Sequence, residues 1–276
     1  MTFGFLFWLF LSGLVVASLQ DLKRREVDDW LNLLIFFSGV SFLMFGAFNS
    51  GNFKIILYLV VFSVLIYALA NLFYYGRVFA GGDAKLLVAL TPLFVSITFF
   101  GGLSNLLLFL FLLMICGSVY GLIYSLVLYF RDFEKVNKEM KVEFAKYSWM
   151  KYALVLGLGL LLISIFELVF IFLAVLVLSF PLLHVFAKCL ERVSMVKTIS
   201  GKELREGDWL VKDVLVGERV VKSTWDGLTF KDLKLLKRSR KVKIKEGIPF
   251  VPAFLLAFLI YSFYGMKILE IFLNLF

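Results

Sequence analysis

Two aspartates lie where long apolar runs meet polar residues, and carboxylates in that setting can carry acid–base chemistry. Asp21 follows the first apolar run, and Asp83 precedes the fourth, within the segment AGGDAKLL. Carboxylates a few ångströms apart share one proton, so that one activates a water molecule and the other donates to a substrate carbonyl. This pattern is typical of an aspartic protease. The alternative is that Asp21 belongs to a charged loop and that Asp83 caps a helix after Gly81 and Gly82.

The composition indicates the setting of these two aspartates. Of the 276 residues, 62% are hydrophobic and the mean hydropathy is +0.95, which is typical of a polytopic α-helical membrane protein. In such a protein the net charge of +9 reflects topology, and we expect no nucleic-acid partner. Cys116 and Cys189 are far apart in the sequence and indicate neither a disulfide framework nor a metal site. We expect no cofactor.

Apolar runs predict the membrane helices, because about 20 apolar residues span a bilayer. The run at 152–187 is 36 residues long and contains Glu167, so it is either one tilted helix or a hairpin that turns at Glu167. A basic cluster follows the first run instead of preceding it, which is opposite to a secretory signal and predicts a retained helix that ends in the cytoplasm. The runs lie at about 3–20, 30–48, 54–75, 84–100, 103–130, 152–187 and 249–275.

The distribution of Lys and Arg favours the hairpin. If each run crosses once and 152–187 crosses twice, the loops on the side of residues 21–29 contain 27 of the 29 basic residues. Basic residues accumulate on the cytoplasmic side, so we predict a multi-pass cell-membrane protein with eight helices and both termini outside. Six or seven helices are open alternatives. This topology puts Asp21 and Asp83 at a similar depth near the cytoplasmic face.

The fold class that follows is an all-α polytopic membrane protein with a small α+β cytoplasmic domain. We predict a transmembrane catalytic domain over 1–187, a cytoplasmic domain over 188–246 and a C-terminal transmembrane helix over 247–276.

Two elements of the cytoplasmic segment have local sequence signals. Apolar and polar residues alternate around Gly217, which predicts a β-hairpin. Thr229 and Asp232 have the spacing of a capping box and predict a short amphipathic helix.

Two segments resemble a known family. ASLQDLKRREVDDWLN and the later AGGDAKLL are similar to the archaeal type IV prepilin peptidases, which include the preflagellin peptidases and are GxGD-type membrane aspartic proteases. The resemblance implies that Asp21 and Asp83 are the catalytic pair and that Gly81 and Gly82 support the second aspartate. Ala80 departs from the pattern, since a strict GxGD motif has glycine there. Bacterial relatives have a four-cysteine zinc site and methylate their product; because this chain lacks those cysteines, we expect neither.

The resemblance also implies the partners, which are the lipid bilayer and archaellin or type IV pilin-like precursors. Such precursors carry a short basic leader, a cleavage site at the cytoplasmic membrane face and then an apolar helix. Glu26, Asp28 and Asp29 are candidate contacts for the leader, although a solvated acidic loop is the alternative. Asp28 stands where family members often have proline. Lys85 is interpreted as an interfacial side chain that snorkels and lowers the pKa of Asp83.

Two other classes of function are open. A transporter or channel would use Asp21 and Asp83 to handle cations or protons, but both acids lie at one face instead of at the midplane. A non-catalytic scaffold would bind a partner through its cytoplasmic domain and use Asp83 only as a helix cap.

Overall fold

The computed structural model describes residues 4–147, 149–216, 219–224, 227–237 and 241–275, and of residues 271–275 only the backbone. Within these residues, helices and short strands alternate along the chain. The helices are α1 (Phe5–Arg24), α2 (Asp29–Ser50), α3 (Lys54–Tyr75), α4 (Gly81–Ala89), α5 (Thr91–Phe94), α6 (Phe99–Arg131), α7 (Phe133–Lys146), α8 (Trp149–Ile163), α9 (Val169–Ser194), α10 (Phe230–Leu236) and α11 (Val251–Leu275). The strands are β1 (Val196–Ile199), β2 (Trp209–Leu210), β3 (Val214–Val216), β4 (Arg219–Val221) and β5 (Val242–Lys245).

Long apolar helices dominate the fold, as a chain in lipid requires because each backbone N–H and C=O must find a partner within the protein. Over the described ranges, six helices are long and apolar enough to cross a membrane: α1, α2, α3, α6, α9 and α11. The bent pair of α7 and α8 would be a seventh span. The fold class is confirmed, with a count of six or seven spans instead of eight.

The apolar run at 84–100 does not form one long helix, and the prediction of a single spanning helix there is wrong. α4 ends at Ala89, and α5 contains only Thr91–Phe94. Pro92 explains the break, because proline has no N–H with which to continue a helix and is accommodated at the start of one. Val95 is then extended, and α6 begins four residues later.

The run at 152–187 forms a hairpin of two helices. α8 ends at Ile163, Glu167 lies in the connection, and α9 begins at Val169. The two helices approach closely, because a Cβ built on Gly157 would lie 2.5 Å from the Leu178 side chain. The hairpin with Glu167 in its turn is therefore confirmed in preference to one tilted helix.

Two compact units divide the chain: Met1–Leu122 with Ile248–Phe276, and Ile123–Gly247. In the first unit, α1 packs against α2 and α11, while α2 also packs against α3, α4 and α5. Its core is rich in fully buried phenylalanines, namely Phe10, Phe62, Phe94, Phe109, Phe254 and Phe258. The division into domains by membrane side and function that the sequence suggests stays a prediction.

The second unit contains the small sheet region. β1, β5 and β2 form an antiparallel sheet in the order β1-β5-β2, and β3 pairs with β4. The pairing of Val214 with Val221 confirms the predicted hairpin, while its turn residue Gly217 lies outside the described residues. The Thr229 N–H donates to Asp232 Oδ2 at 3.0 Å and the Asp232 N–H donates to Thr229 Oγ1 at 3.4 Å, so the capping box of α10 is confirmed.

Candidate active site

Asp21 lies near the C-terminal end of α1, on the buried face of that helix. Leu14, Ala17 and Asp21 follow one another at helical spacing, and only 7% of Asp21 is exposed. The backbone N–H of Val251, the first residue of α11, donates to Asp21 Oδ2 at 3.0 Å. The first N–H groups of a helix have no partner within it, so the start of α11 supplies a donor that orients this carboxylate.

Asp83 is the third residue of α4, and 8% of it is exposed. Its carboxylate reaches back to the start of the helix, where the Ala80 N–H donates to Oδ2 at 3.2 Å. Asp83 therefore satisfies an N-terminal N–H from within the first turn, which is half of a capping box. Ala80 has an extended backbone (φ −71°, ψ 163°) that any residue adopts, so the position needs no glycine for its conformation.

The two carboxylates interact with each other. α4 is not one of the six spans, and burial together with the Asp21 carboxylate raises the pKa of Asp83 to about 7. Asp83 is thus largely protonated at slightly acidic pH, where it can donate a hydrogen bond. A pair with one proton and one negative charge offers an acid and a base in the same buried site. Both residues that the sequence singled out are therefore buried in the first unit, where the Asp21 carboxylate contributes to the raised pKa of Asp83.

Asp28 closes the turn between α1 and α2. Its Oδ2 accepts hydrogen bonds from Gln20 Nε2 at 3.0 Å, from Arg24 Nη2 at 2.7 Å and from Trp30 Nε1 at 3.1 Å. The Asp28 N–H donates in return to Gln20 Oε1 at 3.0 Å. The Arg24 guanidinium holds the pKa of Asp28 below its usual range. These side-chain contacts shape a turn at a position where the resemblance leads one to expect proline.

Lys85 forms an ion pair with Asp29 that the sequence did not predict. Its Nζ lies 2.7 Å from Asp29 Oδ1, and the two side chains are 58% and 66% exposed. Because Lys85 faces Asp29, the predicted lowering of the Asp83 pKa by Lys85 is wrong. An ion pair this exposed contributes little to stability, but it joins the start of α2 to α4. Glu26, the third candidate acid, is exposed between α1 and α2.

Gly81 and Gly82 are the first two residues of α4, and neither has a positive φ. A Cβ built on Gly81 would lie 3.7 Å from the Tyr74 ring, which is an ordinary contact, and one built on Gly82 would meet nothing within 4 Å. Neither glycine is required by packing in this conformation. Their role in supporting Asp83 stays a prediction.

Gly82→Ala is expected to unfold at the same temperature as the parent chain or at a higher one. Alanine favours a helix over glycine by up to about 1 kcal/mol, and the added methyl group has open space. Thermal unfolding in detergent, followed by circular dichroism, measures the effect. Gly227→Ala is the contrasting control, since Gly227 has a φ of +78° and its Cβ would clash with the Gly207 carbonyl oxygen. A clear fall in the unfolding temperature of Gly82→Ala would contradict the expectation.

The chemistry available here comes from two carboxylates and from the backbone donors at the starts of α4 and α11. Among the described residues, no group of three or more His, Cys, Asp or Glu side chains could hold a metal ion. A buried acid–base pair of this kind suits the hydrolysis of a peptide bond by a water molecule.

Residues 8–122, which contain both aspartates, match the type IV leader peptidase family. This part of the chain is therefore similar to that family. The chain is also similar to a preflagellin peptidase from Methanococcus maripaludis (strain C6), with 27% identity over 81 residues, or 29% of this chain and 35% of the relative. The chain thus spans about a third of the length of this curated relative. No solved structure matches the chain. The resemblance drawn from the sequence is confirmed.

The match to the leader peptidase family ends before α11, yet α11 supplies the Val251 N–H that contacts Asp21. Sequence reasoning assigned α11 to a separate helical segment and missed this contact. The available signal was the segment GIPFVPAF, in which Pro249 and Pro252 frame Val251 at the start of a helix. Free N–H groups at that position can bind a carboxylate of a neighbouring helix.

Proposed function

We propose that this chain is a membrane aspartic endopeptidase that removes the basic leader from archaellin or type IV pilin-like precursors. The observation that carries the proposal is the buried pair of Asp21 and Asp83, brought together by two different helices of one unit. The match of residues 8–122 to the type IV leader peptidase family supports a leader peptidase role. The preflagellin peptidase relative supports the class of substrate.

In this mechanism Asp21 is the base and Asp83 is the acid. The Val251 N–H orients Asp21, and burial keeps the proton on Asp83. A water molecule gives a proton to Asp21 while its oxygen attacks the scissile carbonyl, and Asp83 donates its proton to the carbonyl oxygen. The C–N bond then breaks as the amide nitrogen takes the proton from Asp21. The carbonyl re-forms by returning a proton to Asp83, so both groups end as they began.

We place the site near the cytoplasmic face, with both termini outside. The support is the charge distribution, because 27 of the 29 Lys and Arg fall on one side if the apolar run at 84–100, which begins after Asp83 and forms no single spanning helix, also carries the chain across the membrane. α4 and α5 are short, so this crossing is interrupted. Without it, the six basic residues of 131–151 would lie on the side opposite residues 21–29.

Contact between the acids of the α1–α2 turn and the basic leader is a further part of the proposal. Asp29 is the best placed of the three, since its ion pair with Lys85 is exposed and easily exchanged for a leader lysine or arginine. Asp28 already accepts three hydrogen bonds within the turn, so we assign it mainly to shaping the loop. Glu26 adds negative charge nearby.

The function is tested with the full chain in proteoliposomes together with a precursor that carries a basic leader. We expect a product shortened by the leader, detected by mass spectrometry, and a higher KM for a precursor whose leader lysines and arginines are replaced by glutamine. A parallel flux measurement with pH- and cation-sensitive dyes covers the transporter alternative. Ion flux without any cleavage would favour that alternative and exclude the peptidase.

Turnover is expected to fall as the pH rises through about 7. Asp83 acts as an acid in the proposed mechanism, and its raised pKa means that the required proton is present below about pH 7 and lost above it. The measurement is kcat for leader removal between pH 5 and pH 9, with vesicle integrity checked at each pH. The Lys and Arg charges of the leader do not change in this range, and a precursor with a blocked N-terminus removes the α-amino group, which titrates near pH 8. A rate that stays level up to pH 9 would contradict the assignment.

A further inference from the structure

An asparagine of α2, the helix that packs against both α1 and α4, is buried without a hydrogen-bond partner among the described residues. Asn32 in α2 is 6% exposed, and neither its amide nitrogen nor its amide oxygen has a partner in the described part of the chain. Ser18 in α1 is 5% exposed, and its hydroxyl also has no hydrogen-bond partner among the described residues. Buried polar groups in native proteins are nearly always satisfied, so two such groups together call for an explanation.

The helix register places these two residues at similar heights in two packed helices. α1 and α2 run antiparallel, and Gln20 is hydrogen-bonded to Asp28 near the turn. Further from the turn, a Cβ on Gly13 would lie 2.7 Å from the Ile35 side chain. Between these two contacts, the register puts Asn32 level with residue 16, so its height along the helix pair differs from that of Ser18 by about 3 Å.

The same register places the polar pair just beyond the catalytic carboxylates. Ser18 and Asp21 are three residues apart on the buried face of α1, so Ser18 is about one helical turn from Asp21. α2 also packs against α4, where Asp29 pairs with Lys85. Asn32 is almost one turn further along α2 than Asp29. Asn32 and Ser18 therefore lie on the side of the carboxylates that leads away from the α1–α2 turn, between apolar helices.

A peptide substrate presents the groups that these side chains lack. Inside an apolar region each backbone N–H and C=O needs a partner, and a segment that is opened for cleavage has lost its own helical partners. An asparagine amide has both a donor and an acceptor, so it can pair with the C=O and the N–H of a main chain at once. The Ser18 hydroxyl offers one more donor or acceptor.

We infer that Asn32, assisted by Ser18, binds the substrate main chain on the apolar side of the Asp21–Asp83 pair. The inference rests on the proposed peptidase function, since it deepens the account of how the same site holds its substrate. The Asn32 amide forms its hydrogen bonds only when the substrate is bound. An asparagine with a structural role only would find its hydrogen-bond partners within the protein.

The test measures binding separately from cleavage. In an Asp83→Asn background, which holds the precursor without cutting it, the Kd for a fluorescent precursor is compared with and without Asn32→Leu. We expect Asn32→Leu to weaken binding by about tenfold or more, because two hydrogen bonds to the substrate are lost. Asn32→Ala, whose side chain is smaller than that of leucine, is expected to weaken binding as well. It covers the case in which leucine does not fit at this position. In the cleaving parent, the same substitutions should lower kcat/KM.

Stability gives the second readout. Removing an unsatisfied amide from an apolar region is expected to leave the unfolding temperature unchanged or to raise it with Asn32→Leu. Ser262→Ala is the matched control, since the buried Ser262 hydroxyl of α11 also lacks a partner but lies 11 residues along that helix from Val251. It should behave like Asn32→Leu in stability while leaving the Kd unchanged.

Two results would overturn the inference. An unchanged precursor Kd in both Asn32→Leu and Asn32→Ala would show that the amide does not hold substrate. A lower unfolding temperature in both variants would show that Asn32 has a structural partner. The proposed function fails separately, if the parent chain itself does not remove the leader.

Discussion

We expect Asp21→Asn and Asp83→Asn each to stop leader removal, while both variants still accumulate in the membrane. Asparagine has nearly the same shape as aspartate, and its Oδ1 can still accept the Val251 N–H in α1 or the Ala80 N–H in α4. An amide, however, can neither take a proton from water nor donate an acidic proton to a carbonyl oxygen. Loss of one general acid or base costs about 10²–10⁴-fold in rate, so we expect kcat to fall at least that far.

The double variant separates a catalytic pair from two independent contributions. Because the carboxylates act together on one bond, Asp21→Asn with Asp83→Asn should be no slower than the worse single variant. Asp213→Asn is the matched control for the chemical change, since Asp213 is exposed and lies in the second unit. Leader removal by either single variant at a rate near that of the parent would exclude the pair as catalytic.

Val251→Pro is expected to lower kcat by about 10- to 100-fold without unfolding the protein. Proline has no N–H, so the substitution removes the hydrogen bond to Asp21 Oδ2. A hydrogen bond to a charged group contributes roughly 1.5–3 kcal/mol, which corresponds to this range of rates if the whole interaction is used in the transition state. Val251 begins α11, and the first position of a helix tolerates proline well.

The control for this variant is Val251→Ala, which shortens the side chain but keeps the N–H. We expect Val251→Ala to restore kcat to near the parent value, with similar KM in all three proteins, because the contact orients a catalytic group and does not touch substrate. The measurements are kcat and KM for the precursor together with the unfolding temperature. Equal rates for the proline and alanine variants would mean that the N–H of Val251 has no role in turnover.

Local patterns in the sequence were sufficient for much of the fold. The length of the apolar runs predicts the spans, the excess length of 152–187 predicts the hairpin around Glu167, and the spacing of Thr229 and Asp232 predicts a capping box. Each of these depends on residues that are neighbours in the sequence. Pro92 was the local signal that the prediction undervalued, because one proline divides an apolar run without changing its hydropathy.

The contacts around the site depend on packing between distant segments, and these were not predictable from periodicity. Lys85 meets Asp29 across 56 residues, and Val251 meets Asp21 across 230 residues. Composition and spacing could identify both aspartates as candidates, since acids are rare beside apolar runs. They could not reveal the unsatisfied amide of Asn32, because an apolar helix face and a binding face look alike until the neighbouring helices are in place.

The contact between Val251 and Asp21 can form only late in the synthesis of the chain. The ribosome must add 230 residues after Asp21 before the Val251 N–H exists, which takes roughly 10–50 s at about 5–20 residues per second. Asp21 and Asp83 enter the membrane early in that interval, when α11 has yet to be made. The nascent chain therefore has both carboxylates but not the donor that orients one of them. Under the proposed function, full activity would begin only when α11 packs against α1, and before then the chain in the bilayer would cleave about 10- to 100-fold more slowly.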